Sequence, residues 1–475
     1  RATAGFFGRL NYNYKEKYLL EVNGRYDGTS RFMKDQRWNF FPSFSLGWNV
    51  ARENFWKPLE SVVNQFKLRG SWGELGNQNT SNLYPFYEIL PVKSNSGNWL
   101  VNGGKTNTAD IPSLVSTLLT WERVRSFNVG FDFGAFSNRL TGSFDYFVRK
   151  TVDMVGPAPQ LPLVLGIAPA IVNNADMKSY GFEIELSWRD RIGEVDYGVK
   201  FNLADAQQKV VKYPNTTNAF SDWYAGKMSG EIWGYTSLGI AKTDEEMKEH
   251  LASLPNGGQN QLGNKWGAGD IMYADINGDG KVDGGKGTLA DPGDQRIIGN
   301  STPRYNFGLV LDASYKGFDV SIFFQGVGKR DYAPIVGTNG AVFWGAVNNI
   351  WQSMAMEEHF DYFRPEGHPM GANLNGYYPR PDFTSNKNHQ VQTRYLQDAS
   401  YIRLKNLQIG YTLPKQWINK LHINRCRVYV SGDNLWTGTS LASMFDPETL
   451  AAGDWGSGKT YPLSKVISFG LNVNF

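Results

Sequence analysis

The stretch "DINGDGKVD", Asp275 to Asp283, holds the residues best spaced for chemistry. Asp275, Asn277 and Asp279 stand at alternate positions, Gly280 permits a sharp turn, Lys281 can offer its carbonyl, and Asp283 follows at position nine. Hard oxygen donors in this order form the front half of a calcium loop. Position twelve is Lys286, where an EF-hand places a bidentate Glu, so the loop is not an EF-hand. Asp291 or Asp294 is left to complete the shell. The competing reading is a cluster of Asn-Gly and Asp-Gly turns. On either reading the segment stiffens a loop.

Other constellations carry less. "GKVDGGKG" (Gly280–Gly287) approaches a phosphate-binding loop but ends on Gly287 where Ser or Thr must meet magnesium. "EEHFDYFRPEGH" brings Glu357, Glu358, His359, Glu366 and His368 together, yet Pro365 interrupts any zinc-protease helix. With five His and no Ser-His-Asp or paired-carboxylate pattern, catalysis is not expected. A lone Cys426 excludes an intrachain disulfide. Net charge of +3 argues against a nucleic-acid binder. Six tryptophans stand out in long polar segments: Trp223, Trp233, Trp266, Trp344, Trp351 and Trp455. Exposed, they would stack on sugar rings or on a partner; buried, they would form cores within the loops.

The elements that must position these residues are strands. In "SKVISFGLNVNF", Ile467, Phe469, Leu471, Val473 and Phe475 share one face and Ser468, Gly470, Asn472 and Asn474 the other. The alternation recurs in "FFGRLNYNY", "KYLLEVNGRYD" and "FFPSFSLGWNV". Similar runs begin near Phe66, Phe127, Leu140, Phe182, Tyr197, Tyr305, Phe318, Ile402 and Arg425. About thirteen strands result, many roughly ten residues long, enough to cross a bilayer at a tilt. Mean hydropathy is negative, and no apolar run reaches the ~18 residues of a spanning helix.

Connections alternate in length. Lys15–Glu16, 134–138, 189–195 and 316–317 are short and 414–424 is moderate. Segments 76–120, 150–179, 205–303, 327–399 and 432–463 are long. Only the connections around 28–38 and 51–64 break the rhythm. Short periplasmic turns and long extracellular loops belong to an outer-membrane barrel. The expected fold is therefore all-β: a transmembrane antiparallel β-barrel with long extracellular loops at 205–303, which holds the calcium motif, and 327–399. The rhythm places Phe475 on the periplasmic side. An even strand count then requires an odd number of strands upstream, so residues 1–475 read as the C-terminal part of a barrel.

Several phrases resemble the SusC/RagA family of TonB-dependent outer-membrane transporters of Bacteroidetes-type bacteria. They are "YKEKYLLEVNGRYDGTSRF", "FFPSFSLGWNVARENFW", "KLRGSWGELGNQ", "YADINGDGKVD", "RIIGNSTPRYNFGLVLDASYKGFDVSIFFQG", "YIRLKNLQIGYTLP" and the closing "NLWTGTS…DPE". The resemblance implies a barrel of about 22 strands with an N-terminal plug, so that the plug and roughly nine strands precede Arg1. It also implies a SusD-like surface lipoprotein, energy from TonB with ExbB and ExbD through the plug, and a dimer of such pairs. Import of oligosaccharides or oligopeptides would follow. The strand carrying Phe469, Leu471, Val473 and Phe475 would be the signal read by the barrel-insertion machinery. The alternatives are a passive porin, a soluble secreted calcium-dependent glycan-binding or glycan-cleaving β protein, and a surface adhesin.

Overall fold

Thirteen long strands carry the chain in the computed structural model, which describes all residues except 81–82, 113, 157–163, 165, 168, 335–340, 346–354, 383–386, 419–422 and 451–459. They are β1 (Thr3–Tyr14), β2 (Tyr18–Thr29), β3 (Trp38–Asn49), β4 (Val63–Asn77), β5 (Glu122–Ala135), β6 (Leu140–Gly156), β7 (Val172–Ile192), β8 (Val195–Lys212), β9 (Arg304–Tyr315), β10 (Phe318–Lys329), β11 (Tyr401–Thr412), β12 (Arg425–Thr439) and β13 (Val466–Asn474). Hydrogen-bonded neighbours follow chain order from β1 to β13 without a crossover. Among the described residues no helix is long and apolar enough to cross a membrane.

The chain divides into two units. The first comprises Arg1–Ile184, Ala206–Thr217 and Asp222–Met228. Its register explains the alternation in the sequence. Leu10, Val22, Phe44, Trp72, Phe127 and Val148 pair in succession across six antiparallel strands. The next row, one residue away, is Arg9, Asn23, Ser43, Gly73, Ser126 and Arg149. The first of these rows is wholly apolar and the second wholly polar or bare. The apolar face is exposed, with Leu10 at 63%, which in water would be a large aggregation-prone patch. In a bilayer it is the lipid contact.

Aromatic rows bound this face. Trp38 stacks on Phe6 at 6.1 Å and on Tyr26 at 5.0 Å. Tyr18 stacks on Tyr14 at 6.4 Å and on Trp48 at 6.5 Å. The Tyr18 hydroxyl and Trp48 Nε1–H both donate to Glu53 Oε1, at 2.7 and 3.2 Å. A bond from Lys17 at 2.9 Å, reinforced by these two, holds the Glu53 carboxyl down at about 2. Phe6 and Tyr14 are eight residues apart in β1. That is roughly 27 Å along a strand and about 20 Å along the membrane normal at the usual tilt, near the ~25 Å apolar band of outer-membrane barrels.

On the polar face charges are paired across strands. Arg69 reaches Asp132 at 3.0 Å and Asp145 at 2.6 Å. A small cluster of Phe32, Phe41, Leu119 and Trp121 holds loop segments against β3. Trp121 Nε1–H donates to the Arg37 carbonyl at 2.9 Å, which fixes the indole.

The second unit comprises Glu185–Asp205, Asn218–Ser221 and Ser229–Phe475. It contains β9 to β13 and the larger part of the long connections. Within these, Glu231–Gly234 pairs with Arg296–Asn300 and Ser237–Ile240 with Ile271–Tyr273. Helix α1 (Asp244–Ala252) starts on Thr243, whose side chain accepts from the Glu246 N–H at 3.1 Å, while Asp244, Glu245 and Glu246 fill its first turn.

Two sequence expectations need correction. Many strands are near ten residues as expected, with 12 in β1 and 9 in β13, but β6, β7 and β8 have 17, 21 and 18. Strand β8 therefore runs to Lys212, inside the 205–303 segment, and β7 begins at Val172 rather than near Phe182. Past the bilayer a paired strand needs no apolar face. Stretches such as "ADAQQKVVK" lose their alternation there while keeping their ladder.

Candidate functional site

The long connections of the second unit fold around a core of their own. Ile271, Tyr273 and Val282 have no exposed surface, and Tyr235, Phe343, Trp344, Tyr378, Tyr395 and Phe445 pack with them. The rings meet edge to face: Phe343 on Trp344 at 4.9 Å and Trp344 on Tyr395 at 4.8 Å. Such pairs add about 0.5–1.5 kcal/mol each beyond area burial. Burial pushes the Tyr273 phenol well up. Its hydroxyl donates to the Lys387 carbonyl at 2.7 Å and accepts from Gln392 at 3.1 Å.

An ion cluster ties this core together. Asp270 is fully buried and accepts from Arg380 at 2.7 and 2.8 Å, Lys387 Nζ at 2.9 Å, Asn388 Nδ2 at 2.9 Å and the Gly267 N–H at 2.9 Å. Five donors on one carboxylate offset the cost of taking it out of water. No sequence signal pointed here, because Asp270 and Lys387 lie 117 residues apart.

The calcium motif forms a tight acidic loop beside this core. Gly278 and Gly280 take φ of +76° and +79°, a conformation that favours glycine. The Asp275 carboxylate accepts from the N–H groups of Gly278 and Gly280 at 2.7 and 2.8 Å. Buried Asp294 accepts from the N–H groups of Ile276 and Asp283 at 2.7 and 2.8 Å. Burial pushes the Asp294 carboxyl up despite those bonds. Lys281 Nζ lies 2.5 Å from Asp283 and 3.8 Å from Asp279. Hydrogen bonding from that ammonium holds the Asp283 carboxyl below its usual range. Among the described residues no three His, Cys, Asp or Glu side chains stand as a ready metal set.

The tryptophans are dispersed. Trp344 is buried, 3% exposed, and lines a cavity. Trp266 is half-buried, donates to the Gly263 carbonyl at 3.2 Å and lies 5.1 Å from Lys387 Nζ. Trp233 stacks on Phe220 at 4.5 Å. Trp223, in the first unit, is more exposed, with Lys227 Nζ 5.9 Å from its ring. Trp351 and Trp455 lie outside the described residues. Trp344 and Trp266 serve the loop core. In β13, Phe469 and Leu471 are exposed opposite Val430 and Val428, Val473 is half-buried opposite Cys426, and Phe475 follows the strand.

Two of the phrases quoted above meet in space. Buried Arg403 and neighbouring Lys405, from "YIRLKNL", grip the "DPE" carboxylates. Arg403 lies 2.7 Å from both Asp446 and Glu448, and Lys405 lies 2.6 Å from Glu448. Burial works to raise Asp446, but bonds from Arg403 and two backbone N–H groups hold its carboxyl low.

Comparison with known proteins agrees with this architecture. The family described as "TonB dependent receptor-like, beta-barrel" matches residues 1–435. TonB-dependent receptor P3 of Formosa agariphila is 30% identical across 99% of this chain and 45% of its own length. TonB-dependent receptor SusC of Bacteroides thetaiotaomicron is 24% identical across 99% of this chain and 43% of its own length. The chain thus spans about half the length of the curated relatives it matches. The solved RagAB peptide transporter superposes with a TM-score of 0.75 at 23% identity, covering 100% of this chain and 48% of that one. With its apolar and polar rows and its thirteen-stranded ladder, the chain belongs to the TonB-dependent receptor-like β-barrel family and is similar to SusC and to the RagAB transporter within it.

Proposed function

We propose that the protein serves in TonB-dependent import of oligosaccharides or oligopeptides across the outer membrane, as the SusC-like barrel of a complex with a SusD-like lipoprotein. The observation that carries this reading is the wholly apolar Leu10 row beside the polar Arg9 row, within a chain whose relatives are TonB-dependent receptors. TonB with ExbB and ExbD supplies the energy through a plug. The lipoprotein closes over the loops, ligand is captured, and displacement of the plug opens the way inward. Phe475 lies on the periplasmic side. Uptake of labelled oligosaccharide and oligopeptide pools, in cells with and without TonB, tests the reading. Uptake that persists without TonB overturns it, and the pool that is depleted names the substrate class.

We further propose that the acidic loop takes calcium through Asp275, Asn277, Asp279, the Lys281 carbonyl and Asp283, stiffening the loop. Its support is the pull that Asp283 already exerts on the Lys281 ammonium. Metal analysis of dialysed protein tests this. Asp275→Ala with Asp279→Ala should remove the bound calcium, and unchanged metal content rejects the site.

A further inference from the structure

The connection between β3 and β4, residues 50–62, is much longer than the turns at the same end of the ladder, 15–17 and 136–139. It is nonetheless well held. Its own N–H groups close successive turns: Glu53 on the Val50 carbonyl at 3.0 Å, Trp56 on Glu53 at 3.1 Å and Val62 on Leu59 at 3.0 Å. The Val62 carbonyl accepts from the Phe136 N–H of the neighbouring turn at 2.8 Å. Two rings from this connection lie on the apolar face of the strands. Phe55 meets Trp48 edge to face at 6.4 Å, and Trp48 is part of the aromatic row with Tyr18. Trp56 stacks flat on Phe66 at 5.2 Å, and its Nε1–H donates to the Val63 carbonyl at 2.9 Å. Phe66 stands two positions from Leu68, the cross-strand partner of Trp48, so the three share one face.

The connection buries Val50 but leaves Phe55 63%, Leu59 51% and Val62 47% exposed. An ordered segment that holds apolar side chains outward needs an apolar neighbour. Three side chains cannot supply the ~800 Å² per partner of a standard protein interface. They do extend, through the Phe55–Trp48 contact, the face that the Leu10 row gives to lipid. Cations stand at the same level. Lys15 Nζ lies 5.3 Å from the ring of Tyr14, which stacks on Tyr18 in that aromatic row. Lys57 follows Trp56 and is exposed. Lys17 is held by Glu53 at 2.9 Å and Arg52 by Glu16 at 2.6 Å, whereas Lys15 and Lys57 have no carboxylate partner among the described residues. Aromatic belts mark the headgroup level of a bilayer, and lysines beside them reach the phosphates.

We propose that residues 50–62 form an interfacial anchor that binds a phospholipid surface, with Phe55 entering the acyl boundary beside Trp48 and the Lys15 and Lys57 ammonium groups meeting lipid phosphates. The anchor requires only the lipid contact of the Leu10 row, so it stands or fails apart from import. Spin labels on the full-length receptor test it, in vesicles of phosphatidylethanolamine and phosphatidylglycerol. Cys426→Ser removes the native thiol, and labels go on Phe55→Cys, Leu10→Cys and Met370→Cys, the last exposed at 57% in a loop of the second unit. We expect the labels at 55 and 10 to meet dissolved oxygen more than a water-soluble nickel complex, and the label at 370 to do the reverse. Leu59→Cys repeats the reading should Phe55→Cys fail to insert. A label at 55 that behaves as the one at 370, while the label at 10 reports lipid, overturns the anchor and leaves the lipid face standing. Spin–spin broadening at 55 between copies marks a second chain as the occupant and also overturns it. Lys15→Gln with Lys57→Gln should lower the preference of bound lipid for phosphatidylglycerol over phosphatidylcholine by up to about fivefold for each lysine. An unchanged preference overturns the phosphate contact.

Discussion

The Leu10 row and the Tyr273 cluster use similar side chains under opposite conditions. Along β1 to β6 the apolar residues face outward and charged residues pair on the other face, as Arg69 does with Asp132 and Asp145. In the loop core Ile271, Tyr273 and Val282 are sealed, and a carboxylate, Asp270, is sealed with them. The two patterns imply two solvents. Lipid accepts an apolar surface and rejects unpaired backbone groups, so the ladder must satisfy every strand. Water rejects the apolar surface, so long loops must bury it and cap what they bury.

The most damaging way to probe this contrast is Asp270→Ala. It takes the shared carboxylate from Arg380 and from Lys387, itself 1% exposed, which keeps Asp382 at 3.5 Å. Breaking a buried pair from one side costs about 3–5 kcal/mol. Hydrogen exchange should accelerate across 259–282 and 377–399, while the heat-modifiable gel mobility of the barrel stays unchanged. Loss of barrel mobility in parallel would mean that the loop core and the ladder are not separate stabilities.

Next comes the membrane face. Leu10 lies midway between the aromatic residues Phe6 and Tyr14 in β1. Leu10→Arg should cost about 2–4 kcal/mol, as arginine does near a bilayer midplane. Asn11→Arg, one step along but on the polar face, should cost about 0.5 kcal/mol or less. Urea midpoints of the two variants in lipid vesicles settle the matter, and equal midpoints would remove the lipid-face assignment.

The contrast also explains what could be read in advance. Strands were legible because each must alternate to keep one face in lipid; Phe469, Leu471 and Val473 reveal β13 without help from any other residue. The rhythm of turns and loops was legible for the same reason. The loop core was not. Tyr235, Ile271, Phe343, Tyr395 and Phe445 come from distant segments with no shared period, and Asp270 meets Lys387 only after 117 residues. Counting loop tryptophans could not separate Trp344, a buried wall, from Trp223, a more exposed one. The ends of β7 and β8 were missed where both faces leave lipid and alternation ceases.

Acid should loosen the loops before the ladder. Burial pulls His389 down to about 4, against a weaker opposing influence from Asp382, and burial lowers His250 as well. Unfolded segments bind these protons near pH 6.5 and the folded ones do not, so stability falls as pH drops from about 6.5 towards 4. At pH 5 the His389 contribution is a loss of about 2 kcal/mol. Hydrogen exchange around 387–397, corrected for intrinsic rate, should therefore rise from pH 7 to pH 5 in the wild type. His389→Gln should flatten most of that rise, and a rise preserved in the variant would assign the sensitivity elsewhere.

The smallest expected effect asks which cation the acidic loop is built for. Lys281 Nζ lies between Asp279 and Asp283, where a divalent ion would also sit. Its side chain is more than a third exposed, so water screens the pair and its contribution is small. Lys281→Gln removes the competitor but keeps the carbonyl that the calcium reading requires. Without calcium the variant should lose a little protection, measured by hydrogen exchange in 275–294. With calcium the loss should reverse, because the ion then binds without displacing an ammonium. If calcium does not restore protection in Lys281→Gln, the ammonium is the resident cation, and the loop is a self-neutralised turn that stiffens this region without metal.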